Sequence, residues 1–91
     1  MNFAELEKTV KEMGPGIVTE DEIARIAAGG VIPLEGIGFL AILRAKPDLT
    51  LEDLLEAALN QPHNEEHHEM MRKARDFFRK HAAEFGLQDR I

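Results

Sequence analysis

The sequence predicts an all-α protein: a compact bundle of four to five helices, with short N-terminal helices, a buried central helix near 33–46 and a long amphipathic C-terminal helix near 63–85. Three observations predict it. Apolar residues recur at helical spacing in segment after segment. Two segments open on a Thr-x-x-acid pattern, Thr19 with Glu22 and Thr50 with Asp53, the signature of a capping box. Glycine and proline at Gly14-Pro15-Gly16, Gly29-Gly30, Pro47 and Gly86 punctuate the chain into pieces of helical length. Ninety-one residues suffice for one hydrophobic core and not for two, so a single domain spanning 1–91 is expected.

In "NFAELEKTVKEM", residues 2–13, Phe3, Leu6, Val10 and Met13 share one helical face and leave the charges on the other. Gly14-Pro15-Gly16 ends that segment. Thr19 then caps a short helix reaching about Ala28, and Val18 and Ile23 sit where a hydrophobic staple packs. Gly29-Gly30 stops it, because glycine accepts the left-handed backbone that ends helices.

Residues 33–46, "PLEGIGFLAILRAK", are apolar on every side, as a helix buried all round must be. Pro33 suits its first turn. A buried strand is the rival reading, since Gly36 and Gly38 each weaken a helix by up to ~1 kcal/mol; helix is preferred, with the glycines allowing a neighbouring backbone close. After Pro47, Thr50 caps the next helix and Leu49 staples to Leu54. Leu51, Leu54, Leu55, Ala58 and Leu59 form its apolar face.

The last segment, from about Pro62 or Asn64 to Phe85, would reach ~33 Å as one helix, against ~14–21 Å for each earlier one. It is therefore expected to overhang them. Met70, Met71, Ala74, Phe77, Phe78, Ala82 and Phe85 make one broad apolar stripe. Whatever the body leaves uncovered is an apolar patch of the kind that marks a partner site, so Met70, Met71, Phe77, Phe78 and Phe85 are the candidate partner-binding residues.

Composition narrows the function. With no cysteine, disulfides, thiolate metal sites and thiol catalysis are absent. With no serine, a Ser-His-Asp triad is impossible, and no Gly-x-x-x-x-Gly-Lys phosphate loop occurs. Acidic pairs such as Asp21/Glu22 and Glu52/Asp53 occupy first helical turns, where they complement the helix dipole. The net charge of −6 opposes nucleic-acid binding, which is assembled from Lys and Arg contacts to phosphate. That charge is concentrated: residues 1–60 carry five basic and eleven acidic side chains, and residues 61–91 six of each. No apolar run approaches the ~20 residues that cross a bilayer, and Glu5 and Glu7 are out of place in a secretion signal. A soluble, non-enzymatic, cytoplasmic protein follows, in the host cytoplasm if it is viral, with no cofactor and no small-molecule substrate.

"PHNEEHHE", residues 62–69, holds three of the four histidines. His63 and His67, four apart, are neighbours on one helical face and are the candidate metal ligands. His81 lies some ~20 Å further along the rise, and structural zinc wants four ligands. The other reading is an ordinary helix start, with Asn64 as cap and Glu65 and Glu66 at the positive end of the dipole; it explains more of the residues, and no metal is assigned.

Residues 34–56, "LEGIGFLAILRAKPDLTLEDLLE", resemble the tail assembly chaperones of long-tailed bacteriophages at Leu43-Arg44, Pro47, Leu49-Thr50 and Glu52-Asp53-Leu54. "DEIARIAAGGVI" before them is similar in layout, so the resemblance spans roughly residues 21–59; the first twenty residues depart from it, reading as helix where that family has β-strand character. The resemblance implies a non-enzymatic protein that coats an aggregation-prone helical partner, the tape-measure protein, and helps recruit tail-tube subunits. A protein partner or homo-oligomer is thus the expected mode of action. Two alternatives stand beside it: a small metal-binding or sensing domain using His63 and His67, and an acidic inhibitor filling a basic groove.

Overall fold

Helix α1, Glu20–Ala28, starts where its first turn dictates in the computed structural model, which describes residues 17–62 and 64–91. The helix read over residues 2–13, and His63, lie outside the described residues. The Thr19 hydroxyl accepts from the Glu22 N–H at 3.2 Å, and Glu22 Oε1 accepts from the Thr19 N–H at 3.1 Å, closing the capping box. Ile26 is the fully buried residue of this helix. Gly30 takes the left-handed conformation, φ 84°, and turns the chain into α2, Pro33–Ala45.

Helix, not strand, is therefore the form of the central apolar run. Phe39, Leu40, Ala41, Ile42 and Leu43 are buried one after another, which on a helix means enclosure around the full circumference. Neighbours supply that enclosure: α2 packs on α1, on α3, Leu51–Leu59, and on α4, Glu65–Lys80. Helix α3 repeats the capping box, with Thr50 Oγ1 accepting from the Asp53 N–H at 3.1 Å and Asp53 returning the bond to the Thr50 N–H. Its staple residues Leu49 and Leu54 are both core.

The C-terminal helix is shorter than the sequence suggests. Asn64 Oδ1 accepts from the His67 N–H at 2.8 Å, as the capping reading requires, but the α-helix ends at Lys80 and not near 85. At His81 the backbone leaves helical geometry, φ −111° and ψ 26°, and Ala82–Phe85 follows as a 3-10 turn closed by the left-handed Gly86. The Leu87 N–H returns to the Ala82 carbonyl at 2.8 Å, the reverse bond that terminates helices. A second 3-10 turn, Gln88–Arg90, completes the chain. Burial explains the bend. The turn folds Phe85 and Leu87 into the core, 3% and 1% exposed.

The four described phenylalanines make one cluster across α2, α4 and the first 3-10 turn. Phe39 stacks on Phe78 at 5.7 Å between ring centres, and Phe78 meets Phe77 and Phe85 edge-on at 5.2 Å each. Such pairs add ~0.5–1.5 kcal/mol beyond their buried area. Gly36 has the close-packing role expected of it. A Cβ there would lie 2.4 Å from Ile26 Cγ2, so the missing side chain is what lets α1 reach α2. Gly38 has no such neighbour among the described residues.

Phe78→Ala, at the centre of the aromatic cluster, is expected to cost ~3–5 kcal/mol, and Gly36→Ala ~1–3 kcal/mol because stiff, branched Ile26 must move. Urea denaturation followed by circular dichroism measures both; a Gly36→Ala protein as stable as the parent would refute the close α1–α2 contact.

Candidate functional site

The expected partner stripe on α4 is mostly interior. Met71 and Phe78 are core residues, as is Phe85 on the following turn. Met70 and Phe77 are half-buried, Phe77 with its ring lying where a Gly29 Cβ would be, 2.2 Å from the nearest ring atom. The expectation of an overhanging, uncovered stripe is therefore corrected. The bend at His81 shortens the helix, and the bundle receives most of the face, with Met70 and Phe77 left half-buried.

Exposed apolar surface lies instead at the start of α2. Ile32 is 46% and Leu34 78% exposed, on either side of the exposed Pro33. Ile91, 59% exposed, follows Arg90, which is anchored at the opposite end of α2. Sequence reasoning missed this corner because an apolar residue in an all-apolar helix reads as core. The available signal was the cap: Ile32 holds the N-cap position with no side-chain bond to the first turn. Ile32 and Leu34 thus stand at the open end of the helix, where residues of the first turn project past their neighbours. Beside them one carboxylate oxygen of Glu35 is closed from solvent with no hydrogen-bond partner among the described residues.

Four arginines hold the scaffold behind that corner. Arg44, at the other end of α2, donates Nη1 to Glu22 Oε1 at 2.7 Å and Nη2 to Glu22 Oε2 at 2.5 Å, a two-pronged pair. The same guanidinium reaches the Ile17 carbonyl at 2.8 Å and the Phe85 carbonyl at 3.3 Å. It thus ties α1, α2 and the C-terminal turn together. Arg90 donates to the carbonyls of Leu49 at 2.7 Å and Leu43 at 2.6 Å, and to that of Lys46, satisfying at Leu43 an acceptor that the end of α2 leaves open and tying it to the connection before α3. Arg75 and Arg79 of α4 both pair with Glu52 of α3. The hydrogen bond from Arg75, before all other causes, holds the exposed Glu52 carboxyl below its ordinary range.

The positions that carry the phage resemblance have structural roles here. Arg44 is the clamp just described, Thr50 and Asp53 close a capping box, and Leu43, Leu49 and Leu54 are core. Of the candidate metal ligands, His67 lies on the first turns of α4 and is half-buried, while His63 is outside the described residues. His68 Nε2 donates to the Gln61 carbonyl at 3.2 Å, and His81 Nδ1 meets Glu84 at 3.0 Å. Among the described residues no three His, Asp or Glu side chains are grouped so as to hold a metal ion, and no helix is long and apolar enough to cross a membrane. A shallow depression on α3 is lined by Glu52, Leu55, Glu56, Leu59 and Asn60. The chain matches no protein-family model, no curated protein and no solved structure.

The Arg44 hydrogen bonds hold the Glu22 carboxyl at about 2, against an ordinary 4.5, with burial opposing them. Only 14% of that side chain is exposed, so solvent screens the pair weakly. The folded state favours the charged form, and the resulting stabilisation, ~3 kcal/mol at most, is complete above the ordinary value and lost as pH falls toward the depressed one. Glu22→Gln is expected to lower stability at neutral pH by ~1–3 kcal/mol and to reduce the fall in urea midpoint between about pH 4.5 and pH 2. An unchanged pH profile in the variant would show that the clamp contributes nothing.

Proposed function

We propose that this protein is a non-enzymatic interaction module, an adaptor of the tail-assembly-chaperone kind that binds a long helical protein partner through apolar surface. The observation that carries the reading is the exposed Ile32-Pro33-Leu34 corner on the helix that forms the centre of the core. Soluble domains expose single apolar residues routinely. Here three adjoin, on backbone stiffened by Pro33, at the end of a helix fixed on its other sides. Burying Ile32 and Leu34 in a partner is worth ~1.5–3 kcal/mol for each side chain. One such contact is weak. Repeated along a long helix by many copies it covers apolar surface that would otherwise aggregate, and it remains readily displaced when a permanent partner arrives.

Charge fits the same use. Aspartate and glutamate on the faces of α1 and α3 that point away from the core would leave a coated partner with an acidic exterior, and net charge of one sign keeps such assemblies apart. The test is co-expression with a long helical protein of the tape-measure kind. The parent chain is expected to keep that protein in the soluble fraction and to co-elute with it in many copies, while the double variant Ile32→Asp, Leu34→Asp loses both effects with its own melting temperature unchanged. Equal recovery of the partner with and without this chain would dispose of the reading.

A further inference from the structure

Residues 86–91 reach the elbow between α2 and α3 and are attached at two places. Leu87 is buried in the core and Arg90 sends its guanidinium to the elbow, while Gln88, Asp89 and Ile91 are exposed. We propose that this segment is a strap that opens and closes as one unit about Gly86, with Arg90 as its latch, and that the closed strap holds the elbow in shape. It lies at the opposite end of α2 from the Ile32 corner, and its action is independent of any partner there.

The elbow needs an outside tie because its own backbone supplies few. Within residues 46–49 the Lys46 N–H returns to the Ile42 carbonyl and the Leu49 N–H to the Lys46 carbonyl, each at 3.0 Å, and Pro47 has no N–H to give. Arg90 provides the tie. Its Nε donates to the Leu49 carbonyl at 2.7 Å, and its Nη2 to the carbonyls of Leu43, at 2.6 Å, and Lys46. Leu43 lies in the last turn of α2, Lys46 is the C-cap of that helix, and Leu49 precedes Thr50, the cap of α3. One guanidinium therefore spans the elbow from end to end. A planar fork of donors suits three separated acceptors, which a lysine ammonium on its flexible stem does not reproduce.

The other end of the strap is its hinge. Gly86 holds φ 71°, a conformation that residues with a Cβ adopt only at a cost. The strap's backbone bonds are local: the Leu87 N–H donates to the Ala82 carbonyl at 2.8 Å and the Arg90 N–H to the Leu87 carbonyl at 2.9 Å. Attachment to the elbow thus rests on side chains. Leu87 and Arg90 are three apart on a 3-10 turn and so face the same way, which means that a rotation about Gly86 withdraws both together. Segments held by few buried contacts open ahead of global unfolding. Opening here uncovers the seat of Leu87 and leaves the carbonyls of Leu43, Lys46 and Leu49 to water.

Hydrogen exchange, followed amide by amide, tests this first on the unaltered protein. Leu87 and Arg90 are expected to share one degree of protection, at least about a hundredfold below that of the buried α2 amides of Leu40 to Leu43. Leu87 exchanging only at the α2 rate, or the two differing widely, overturns the strap. In Arg90→Ala the protection of Leu87 and of Leu49 in the elbow is expected to fall at least about tenfold while α2 keeps its own, and Arg90→Lys is expected to resemble it. Unchanged protection at Leu49, or full rescue by lysine, overturns the three-carbonyl latch. Loss of protection throughout α2 in Arg90→Ala makes the segment part of the core and likewise overturns the proposal. Gly86→Ala, which strains the closed hinge, is expected to lower the protection of Leu87 with α2 again unaffected, and a Leu87 amide as protected as in the parent removes the hinge from Gly86.

Discussion

A helix with apolar residues around its whole circumference has to be wrapped, and α2 imposes that requirement on everything else in the molecule. Phe39 through Leu43 are enclosed without a break, which no single neighbouring helix can accomplish. The other helices are arranged as walls around it: α1 set close through Gly36, α4 laid along it through the aromatic cluster, α3 closing the side between. Burial at ~25 cal/mol per Å² is non-directional and does not fix how those walls are oriented. Direction comes from the few polar groups that are tied down.

Those ties gather at the C-terminal end of α2. Arg44 there collects Glu22, the Ile17 carbonyl and the Phe85 carbonyl, and Arg90 collects the carbonyls of Leu43, Lys46 and Leu49. Exposed ion pairs contribute little singly. These two differ, because each guanidinium satisfies backbone acceptors belonging to separate elements and is partly shielded while doing so. They also explain why the chain turns at His81 instead of running on: the turn delivers the Phe85 carbonyl to Arg44 and Arg90 to the end of α2, together with two core side chains. One end of α2 is thereby knotted, and the other end, at Ile32 and Leu34, carries no comparable side-chain bond among the described residues.

Local chemistry was the legible part of the sequence. Thr19, Thr50 and Asn64 cap the helices the sequence assigns to them because capping depends on residues three apart. The buried α2 was legible from its unbroken apolar content. The bend at residues 81–86 was not, because Ala82 and Phe85 continue the helical period of α4; a 3-10 turn that puts the same residues into the core has the same pattern. The stripe was consequently read as surplus when it was interior. The exposed corner was hidden for the opposite reason: Ile32 and Leu34 have the composition of core, and only their place at an uncapped helix end distinguishes them. Composition reports what a residue prefers, and exposure depends on which neighbours arrive.

Under the proposed adaptor role, that asymmetry between the ends of α2 is what would suit the molecule to holding a partner. Surface used for binding has to be apolar enough to gain from burial, yet fixed so that little ordering is lost when it is buried. Side chains on a mobile loop meet the first condition and fail the second. Ile32, Pro33 and Leu34 meet both: they are apolar and exposed, and they are mounted on a helix whose far end is held by two guanidinium groups and whose flanks are closed by three helices. The core that stabilises the fold and the exposed corner are therefore parts of one helix, and a contact made at the corner would draw on the rigidity of the whole bundle.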